Sequence, residues 1–260
     1  MSHLLAIDSG NTRLKWALHD GIEWREKGVI STGDAAQPER LRDEWAALSI
    51  NRAIVSNVAG DVVTSSIELA LRAFSVIPHV AVSCSEQCGV INRYAKPAQL
   101  GSDRWAALIA AYNTTLPVLS VSTPRLVAMA GTALTVDALT DKGEFLGGVI
   151  LPGPALMRAA LNRGTARLPA ECGEYEMFPS NTLNAIETGS VEACIGAILR
   201  MNVHLSARTG RAPTCVLSGG AGEFLISCLR ALSIPLSFNE NLVLDGLLVI
   251  SNEMISLKDR

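Results

Sequence analysis

The order of apolar and polar positions predicts the same series of strands and helices twice along the chain. Each half opens with three strands separated by short turns and continues with alternating helices and strands. The first half is predicted to contain strands 4–8, 13–19 and 22–30, helix 38–48, strand 52–56, helix 62–74, strand 79–82 and helix 102–113. The second half is predicted to contain strands 126–130, 135–139 and 144–151, helices 154–162 and 181–207, strand 214–217, helix 221–232 and a last helix from Asn241. This order predicts an α/β protein with mixed sheets flanked by helices.

Short repeats at matching places indicate that the two halves are duplicated. In chain order they are residues 5–10 with 127–131, 20–21 with 141–143, and 28–30 with 148–150. The alternative is that two unrelated three-strand meanders share turn glycines. We expect two lobes, residues 1–117 and 118–260, with the Ser-, Thr- and Pro-rich segment 116–124 as the hinge and a cleft between the lobes.

Composition and charge exclude several classes of partner. The chain has 22 basic and 25 acidic residues and a formal net charge of −3, without the basic run typical of nucleic-acid binding. No apolar run approaches the roughly 20 residues that span a bilayer, and no secretion signal precedes the first strand, so we expect a cytoplasmic protein without a membrane partner. The six cysteines and four histidines lack metal-binding spacing, so we expect no zinc site.

The turn after the first strand has the composition of a phosphate-binding turn. Residues 8–12 read Asp-Ser-Gly-Asn-Thr, small and hydroxyl residues whose backbone N–H groups meet anionic oxygens. Asp8 ends the strand, where a carboxylate holds Mg²⁺ directly or through water; the alternative is an ordinary turn-capping aspartate. Lys15 lies on the next strand, where alternation aims it either at phosphates or at solvent.

A related turn in the second half, residues 131–135, reads Gly-Thr-Ala-Leu-Thr. Thr132 and Thr135 offer hydroxyls there, although Thr is also a good strand residue, and Thr132 is the better candidate. A third cluster, residues 218–222, follows an apolar strand and opens a helix. Its glycines either accept an adenine or ribose against the backbone or form a plain tight connection.

The start of the helix at 102–113 carries the main catalytic candidates. Residues 101–104 read Gly-Ser-Asp-Arg, and the simple interpretation is a helix N-cap. The adjoining Arg104 favours a catalytic role, because a carboxylate kept ionised at a helix N-terminus accepts a hydroxyl proton while a guanidinium grips a carboxylate. An alcohol that bears an acid group satisfies both side chains.

Taken together, these motifs resemble those of the type III pantothenate kinases, a family of the actin-like ATPase (ribonuclease H-like) fold that also includes the Bvg accessory factors. The resemblance covers nearly the whole chain. Its motifs are Asp8–Lys15, Asn92–Tyr94 with Pro97, Gly101–Arg104, Gly131–Asp137, Gly147–Gly153, Thr165–Pro169 and Asn181-Thr182.

The resemblance implies ATP-dependent phosphorylation of pantothenate to 4'-phosphopantothenate, the first step of coenzyme A biosynthesis. It also implies a homodimer in which each subunit holds Mg·ATP between its two lobes. It assigns Asp103 as the general base and Asp8 as the Mg²⁺ partner. The implied ATP-binding residues are Asp8, Ser9, Gly10, Asn11, Thr12, Arg13, Leu14, Lys15 and Thr132. The implied pantothenate-binding residues are Tyr94, Gly101, Ser102, Asp103, Arg104 and Thr182, the last acting across the dimer.

One position departs from the family pattern. Many members carry an aspartate two residues before the Gly131-Thr132 pair, where it helps to hold a monovalent cation such as K⁺ or NH₄⁺, whereas this chain has Met129. A thioether is a poor ligand for a hard cation. Either other oxygens hold the cation, or this chain needs it less.

Two alternative functions stay open from the sequence. One is a regulatory or accessory protein that binds ATP without catalysis, although residues 101–104 argue against it. The other is a sugar kinase or a polyphosphate-cleaving relative of the same fold, because a fold does not fix a function.

Overall fold

The computed structural model describes residues 3–114, 123–165, 168, 171–232 and 234–258. Most of the predicted hinge, and most of the motif at 165–169, lie outside these described residues. Two compact units are present: residues 1–113 with 242–260, and residues 114–241. The predicted boundary at 117/118 lies four residues after the division at 113/114, and the last helix, predicted as part of the second lobe, belongs with the first unit.

The first unit contains a five-stranded sheet in the order β3-β2-β1-β4-β5. Its strands are β1 Leu4–Ser9, β2 Arg13–His19, β3 Trp24–Ser31, β4 Arg52–Asn57 and β5 His79–Val80. Two further short strands, β6 Glu86–Gln87 and β7 Val90–Asn92, pair with each other antiparallel. Its helices are α1 Thr32–Ala35, α2 Pro38–Trp45, α3 Asp61–Arg72, α4 Ser102–Asn113 and the C-terminal helix α8 Leu242–Lys258. β1 pairs antiparallel with β2 and parallel with β4, so the sheet is mixed.

Side-chain alternation divides this sheet between two sets of helices. Leu5, Ile7 and Val55 belong to a core cluster with buried residues of α2 and α3, such as Trp45 and Ile67. The intervening positions of β1 and β4 point to the opposite face, where α4 and α8 contact the sheet. Asp8 at the end of β1 and Ser56 at the end of β4 occupy such positions, so their side chains point to the face that carries α4.

The C-terminal helix α8 packs on α4 because a glycine permits close approach. A Cβ atom at Gly246 would overlap the carbonyl oxygen of Ala106. The Trp24 indole N–H donates to Asp245 at 3.0 Å, and the Cys88 backbone N–H donates to Glu253 at 2.9 Å. These contacts explain why the helix predicted from Asn241 belongs with the first unit, which a boundary drawn along the sequence could not show.

The second unit repeats the same strand order, since its own five strands lie side by side in the order β12-β11-β8-β9-β10. Its strands are β8 Arg125–Ala130, β9 Ala133–Leu139, β10 Glu144–Pro152, β11 Thr214–Ser218 and β12 Leu236–Phe238, and its helices are α5 Pro154–Gly164, α6 Thr182–Thr209 and α7 Gly222–Ala231. β8 again pairs antiparallel with the next strand and parallel with a later one, β11. A shared order of five strands is what duplication predicts and is far more specific than shared turn glycines.

Strand register shows which residues correspond between the units. In the first unit, Asp8 pairs with Lys15 and with Ser56. In the second, Met129 pairs with Thr135 and with Ser218. Met129 is therefore the counterpart of Asp8, and the charged pair of the first unit is replaced by uncharged residues in the second.

Through the part of the chain that the structure describes, no helix is both long enough and apolar enough to cross a membrane. The elements that the sequence did not predict are short: α1, β12 and the hairpin of β6 and β7. Two- to four-residue elements show too little periodicity to be recognised from sequence.

Candidate active site

The turn between β1 and β2 is held closed by backbone hydrogen bonds. The Gly10 N–H donates to the Arg13 carbonyl at 3.0 Å, so in this structure it is used inside the turn. From the start of α1, the Thr32 hydroxyl donates to the Gly10 carbonyl at 2.7 Å and the Thr32 N–H donates to the Thr12 carbonyl at 3.0 Å. Asn11 is exposed at the tip. A turn fixed in this way holds its outward-facing groups ready for an anionic ligand.

Individual side chains of this turn point in different directions. Thr12 and Arg13 are exposed, whereas Leu14 is fully buried in the core. Ser9 is also fully buried, and its hydroxyl has no hydrogen-bond partner among the described residues. The predicted ATP loop thus combines exposed positions with two buried positions that anchor it.

Strand register resolves the direction of Lys15. Lys15 lies directly opposite Asp8 in the antiparallel pair of β1 and β2, so both side chains are on the same face of the sheet. The positive charge of Lys15 lowers the pKa of Asp8. Lys15 is therefore a neighbour of Asp8 rather than a residue of the opposite face.

The start of α4 lies on this same face and presents Asp103. The Asp103 carboxylate accepts the Arg104 N–H at 2.8 Å, which satisfies one of the N–H groups at the helix start. A Cβ at Gly101 would lie only 2.6 Å from Asp103 Oδ1, so glycine leaves room for the carboxylate. The bond to the Arg104 N–H supports a structural role for Asp103 at the helix start, and its catalytic role stays a prediction.

The two carboxylates, Asp8 and Asp103, form the electrostatic centre of the site. Burial and the negative charge of Asp103 raise the pKa of Asp8 from 3.8 to about 7, in spite of Lys15. Burial also raises the pKa of Asp103, opposed by the Arg104 N–H and by the Arg104 charge. A bound cation would stabilise two partly desolvated carboxylates that repel each other electrostatically.

The Asp8–Asp103 pair suits a divalent metal that takes few ligands from the protein. Among the described residues, no group of three or more His, Cys, Asp or Glu side chains could hold a metal ion. Mg²⁺ usually keeps several waters and binds through one or two carboxylates together with substrate phosphates. Asp8, with Asp103 close by, supplies that kind of donor set.

Arg104 and Tyr94 lie together beside Asp103. The Arg104 guanidinium is buried and lies 3.4 Å from the Tyr94 hydroxyl. The Tyr94 N–H donates to Asn92 at 3.0 Å, and the Asn92 amide donates to the Pro97 carbonyl at 3.2 Å, which fixes the loop. The predicted substrate residues 94 and 101–104 are therefore brought together within the first unit.

The second unit repeats the turn architecture without its charges. The Gly131 N–H donates to the Ala133 carbonyl at 3.0 Å, and the Gly153 N–H at the start of α5 donates to the Thr132 carbonyl at 2.8 Å. Thr132 is exposed, whereas Thr135 is buried, and within the described part of the chain its hydroxyl lacks a hydrogen-bond partner. The exposure of Thr132 supports its choice over Thr135 as the ligand contact.

Backbone contacts at Gly219 give the third glycine cluster a structural role. Gly219 has a φ of +96°, and a Cβ there would overlap the Ala130 carbonyl. The Ala221 N–H donates to the same carbonyl at 3.1 Å. The cluster is thus a tight connection against β8, and it lies next to the second turn.

Thr182 lies elsewhere in the second unit, at the first turn of α6. Asn181 caps this helix by accepting the Asn184 N–H at 2.9 Å, and Thr182 is exposed. Beside it is an open, mainly apolar pocket of about 810 Å³, whose lining includes Pro152, Met157, Leu161, Asn181, Thr182 and Ile186.

The segment before α6, residues 171–181, has a role that sequence reasoning missed. Its Glu176 carboxylate accepts the Asn184 amide at 2.8 Å, and the Glu176 N–H donates to the Thr188 hydroxyl at 3.0 Å. A Cβ at Gly173 would overlap the Leu183 carbonyl. The segment is therefore a strap bound to the first turns of α6, and it leaves Met177 and Phe178 78% and 87% exposed at its tip.

Comparison with known proteins identifies the family. A sequence model described as type III pantothenate kinase matches residues 4–204. The chain is 46% identical over 251 residues to a type III pantothenate kinase of Nitrosospira multiformis, covering 96% of this chain and 91% of that protein. It is 42% identical to one of Nitrosomonas eutropha, covering 96% and 95%. The chain belongs to the type III pantothenate kinase family.

Solved structures agree on the fold of this family member. A Baf family protein from Campylobacter jejuni matches with a TM-score of 0.59 at 19% identity, covering 97% of this chain and 99% of that one. MreB 5 of Spiroplasma citri, solved with AMPPNP, matches with a TM-score of 0.51 at 7% identity, covering 100% and 98%. The predicted actin-like ATPase fold is thereby confirmed.

Proposed function

We propose that this protein transfers the γ-phosphate of ATP to the primary hydroxyl of pantothenate, giving 4'-phosphopantothenate, the first step of coenzyme A biosynthesis. Family membership supports this activity. The structural observation that carries it is the grouping of Asp8, Lys15, Asp103 and Arg104 on one face of the first unit. These residues supply the charges that phosphoryl transfer to a carboxylate-bearing alcohol requires.

Asp103 is assigned as the residue that accepts the hydroxyl proton. The transition state of phosphoryl transfer is loose, so the alcohol keeps its proton until late and Asp103 mainly orients it. The raised pKa of Asp103, caused by its burial, moves this carboxyl toward the pH range where a general base is effective. Arg104 and Tyr94 are assigned to the pantothenate carboxylate, because a guanidinium binds a carboxylate through two parallel hydrogen bonds.

Asp8, Lys15 and the exposed part of residues 9–13 are assigned to the phosphates of ATP. Asp8 would hold Mg²⁺, which neutralises charge on the phosphates when it is bound. Lys15 lies opposite Asp8 and supplies a fixed positive charge on the same face. Thr132 is assigned to ATP from the second turn, on the basis of its exposure and its place in the repeated architecture.

The test is ADP release by the purified protein with Mg·ATP, with and without pantothenate. We expect release that depends on pantothenate, and we expect Asp103→Asn to lower turnover by about 10²- to 10⁴-fold while pantothenate still binds. Asp61→Asn is the matched control, because Asp61 also stands in the first turn of a 12-residue helix of the same unit but is exposed.

The same assay separates the alternatives. Wild-type turnover in the Asp103→Asn variant would refute the base assignment. ATP binding without alcohol-dependent ADP release would favour a regulatory protein, and release with a sugar instead of pantothenate would favour a sugar kinase.

We also propose a cytoplasmic homodimer that pairs through the second unit. The open apolar pocket beside Thr182 and the exposed Met177 and Phe178 support an interface with a second copy there. Light scattering should give a dimer, and Phe178→Asp should shift it toward monomer. An unchanged dimer in that variant would place the interface elsewhere.

A further inference from the structure

A buried serine of β4 lies between the two catalytic regions of the first unit. Ser56 is 0% exposed, and its hydroxyl lies 2.9 Å from the hydroxyl of Ser102, the first residue of α4. Ser102 belongs to the proposed substrate-binding turn, whereas Ser56 has no assigned role. Burying a hydroxyl is unfavourable unless it is hydrogen-bonded, so this bond accounts for the presence of a polar residue at the site.

The position of Ser56 in the sheet makes it a neighbour of Asp8. Ser56 pairs with Asp8 in the parallel ladder of β1 and β4, so the two side chains lie on the same face. Just beyond Ser56, the Val58 N–H donates to the Ser9 carbonyl at 2.9 Å, which ties the end of β4 to the end of β1. Ser56 is thus anchored to the strand that carries Asp8.

The turn that Ser56 contacts lies against the end of β4 and against the Asp103 carboxylate. A Cβ at Gly101 would lie 3.7 Å from Val58 Cγ1, a normal packing distance, and only 2.6 Å from Asp103 Oδ1. The Trp105 N–H donates to the Gly101 carbonyl at 3.0 Å. A displacement of Ser102 would therefore be passed on to Asp103.

We infer that Ser56 is a positioning residue, which fixes the start of α4, and with it Asp103, relative to Asp8 through the Ser56–Ser102 hydrogen bond. This inference rests on the proposed kinase function, because it assigns Ser56 to the alignment of the alcohol with the phosphate. Alignment errors of about 1 Å lower turnover by about 100-fold in enzymes that depend on positioning. Ser56 itself is buried beneath the turn, so it does not contact the substrate directly.

The test is the steady-state kinetics of Ser56→Ala, Ser102→Ala and the double variant in the pantothenate-dependent ADP-release assay. We expect Ser56→Ala to lower kcat by about 10- to 100-fold with both KM values within about twofold of wild type. We expect the double variant to be no worse than the poorer single variant, because both changes remove the same bond. Ser66→Ala is the matched control, because Ser66 is a buried serine of α3 whose hydroxyl bonds to none of the residues that the structure describes.

The outcomes are distinct. A Ser56→Ala enzyme with wild-type kcat, or one whose defect multiplies with that of Ser102→Ala, would overturn the inference. If Ser56→Ala fails to fold, Ser56→Cys replaces it in the same kinetic measurements, because Cys keeps the size of the side chain but weakens the hydrogen bond. The same two outcomes for kcat would then overturn the inference.

A measurement independent of turnover separates this inference from the proposed function. Hydrogen exchange of the peptide covering residues 100–105 should be faster in Ser56→Ala than in Ser66→Ala, whether or not pantothenate is the substrate. Equal exchange would overturn the positioning role, whereas a wild-type protein without pantothenate-dependent ADP release would overturn only the proposed function.

Discussion

Replacing Asp8 with Asn should change how the stability of the ligand-free protein depends on pH. Burial and the Asp103 charge raise the pKa of Asp8 from 3.8 to about 7 in the folded state. In the unfolded chain this carboxyl has its ordinary pKa, so between about pH 4 and pH 7 the folded protein binds a proton that the unfolded chain does not. The contribution to stability is therefore complete below about pH 4 and is lost as the pH rises through about 7.

The size of this effect follows from the same pKa values. A rise from 3.8 to about 7, at about 1.4 kcal/mol for each pH unit, corresponds to about 4 kcal/mol as an upper limit. Asn is similar in size and uncharged at every pH. We therefore expect Asp8→Asn to be more stable than wild type at pH 8 by a few kcal/mol, while it loses kinase activity.

Urea unfolding of the metal-free protein between pH 5 and pH 8.5 measures this difference. Asp61→Asn serves as the control, because Asp61 is exposed and that variant should follow the wild-type curve. Mg²⁺ should stabilise wild type at pH 8 and leave Asp8→Asn unchanged. Parallel curves for wild type and Asp8→Asn would refute the reasoning, since Asp8 would then not be the group that titrates.

Three further predictions test other features of the structure. Gly246→Ala should lower the free energy of unfolding in urea by about 1–3 kcal/mol, because the new methyl group overlaps the Ala106 carbonyl. Gly196→Ala is the control: the site has open space, so the free energy of unfolding should rise by up to about 1 kcal/mol. An unchanged stability of Gly246→Ala would mean that α4 and α8 are less closely packed. Arg104→Lys should raise the KM for pantothenate more than the KM for ATP, because Lys cannot form the two-pronged bond; equal changes in both KM values would contradict the assignment. Met129→Asp should make turnover respond to exchange of Na⁺ for K⁺, and equal rates in both salts would show that position 129 does not set the cation requirement.

The local features of the site were predictable because they depend on short stretches of sequence. The turn at 8–12, the helix at 102–113 and its Gly-Ser-Asp-Arg start are each encoded within a few consecutive residues, and the structure brings residues 8, 15, 103 and 104 to one face. The duplicated halves were also predictable, since the three-strand meander recurs with its turn residues.

Features that depend on contacts between distant residues were not predictable. The direction of Lys15 required the register of β1 and β2, and the place of α8 required the contact of Gly246 with Ala106. Ser56 ends an apolar strand and reads as a simple boundary residue until its bond to Ser102 is seen. Leu14 was included in the ATP loop by motif alone, whereas its side chain belongs to the core.

The contribution of α8 to the first unit has a consequence for biosynthesis. The first unit is discontinuous, and residues 114–241 must be synthesised before the helix that covers α4 becomes available. Domains generally fold as units while the chain is being made, with the N-terminal one first. Here the half that carries Asp8 and Asp103 cannot complete its core until the last helix has left the ribosome, so the second unit can finish folding first. We therefore expect premature termination within the last helix to leave an aggregation-prone apolar surface on the unit that carries Asp8 and Asp103, and to give no partly active enzyme.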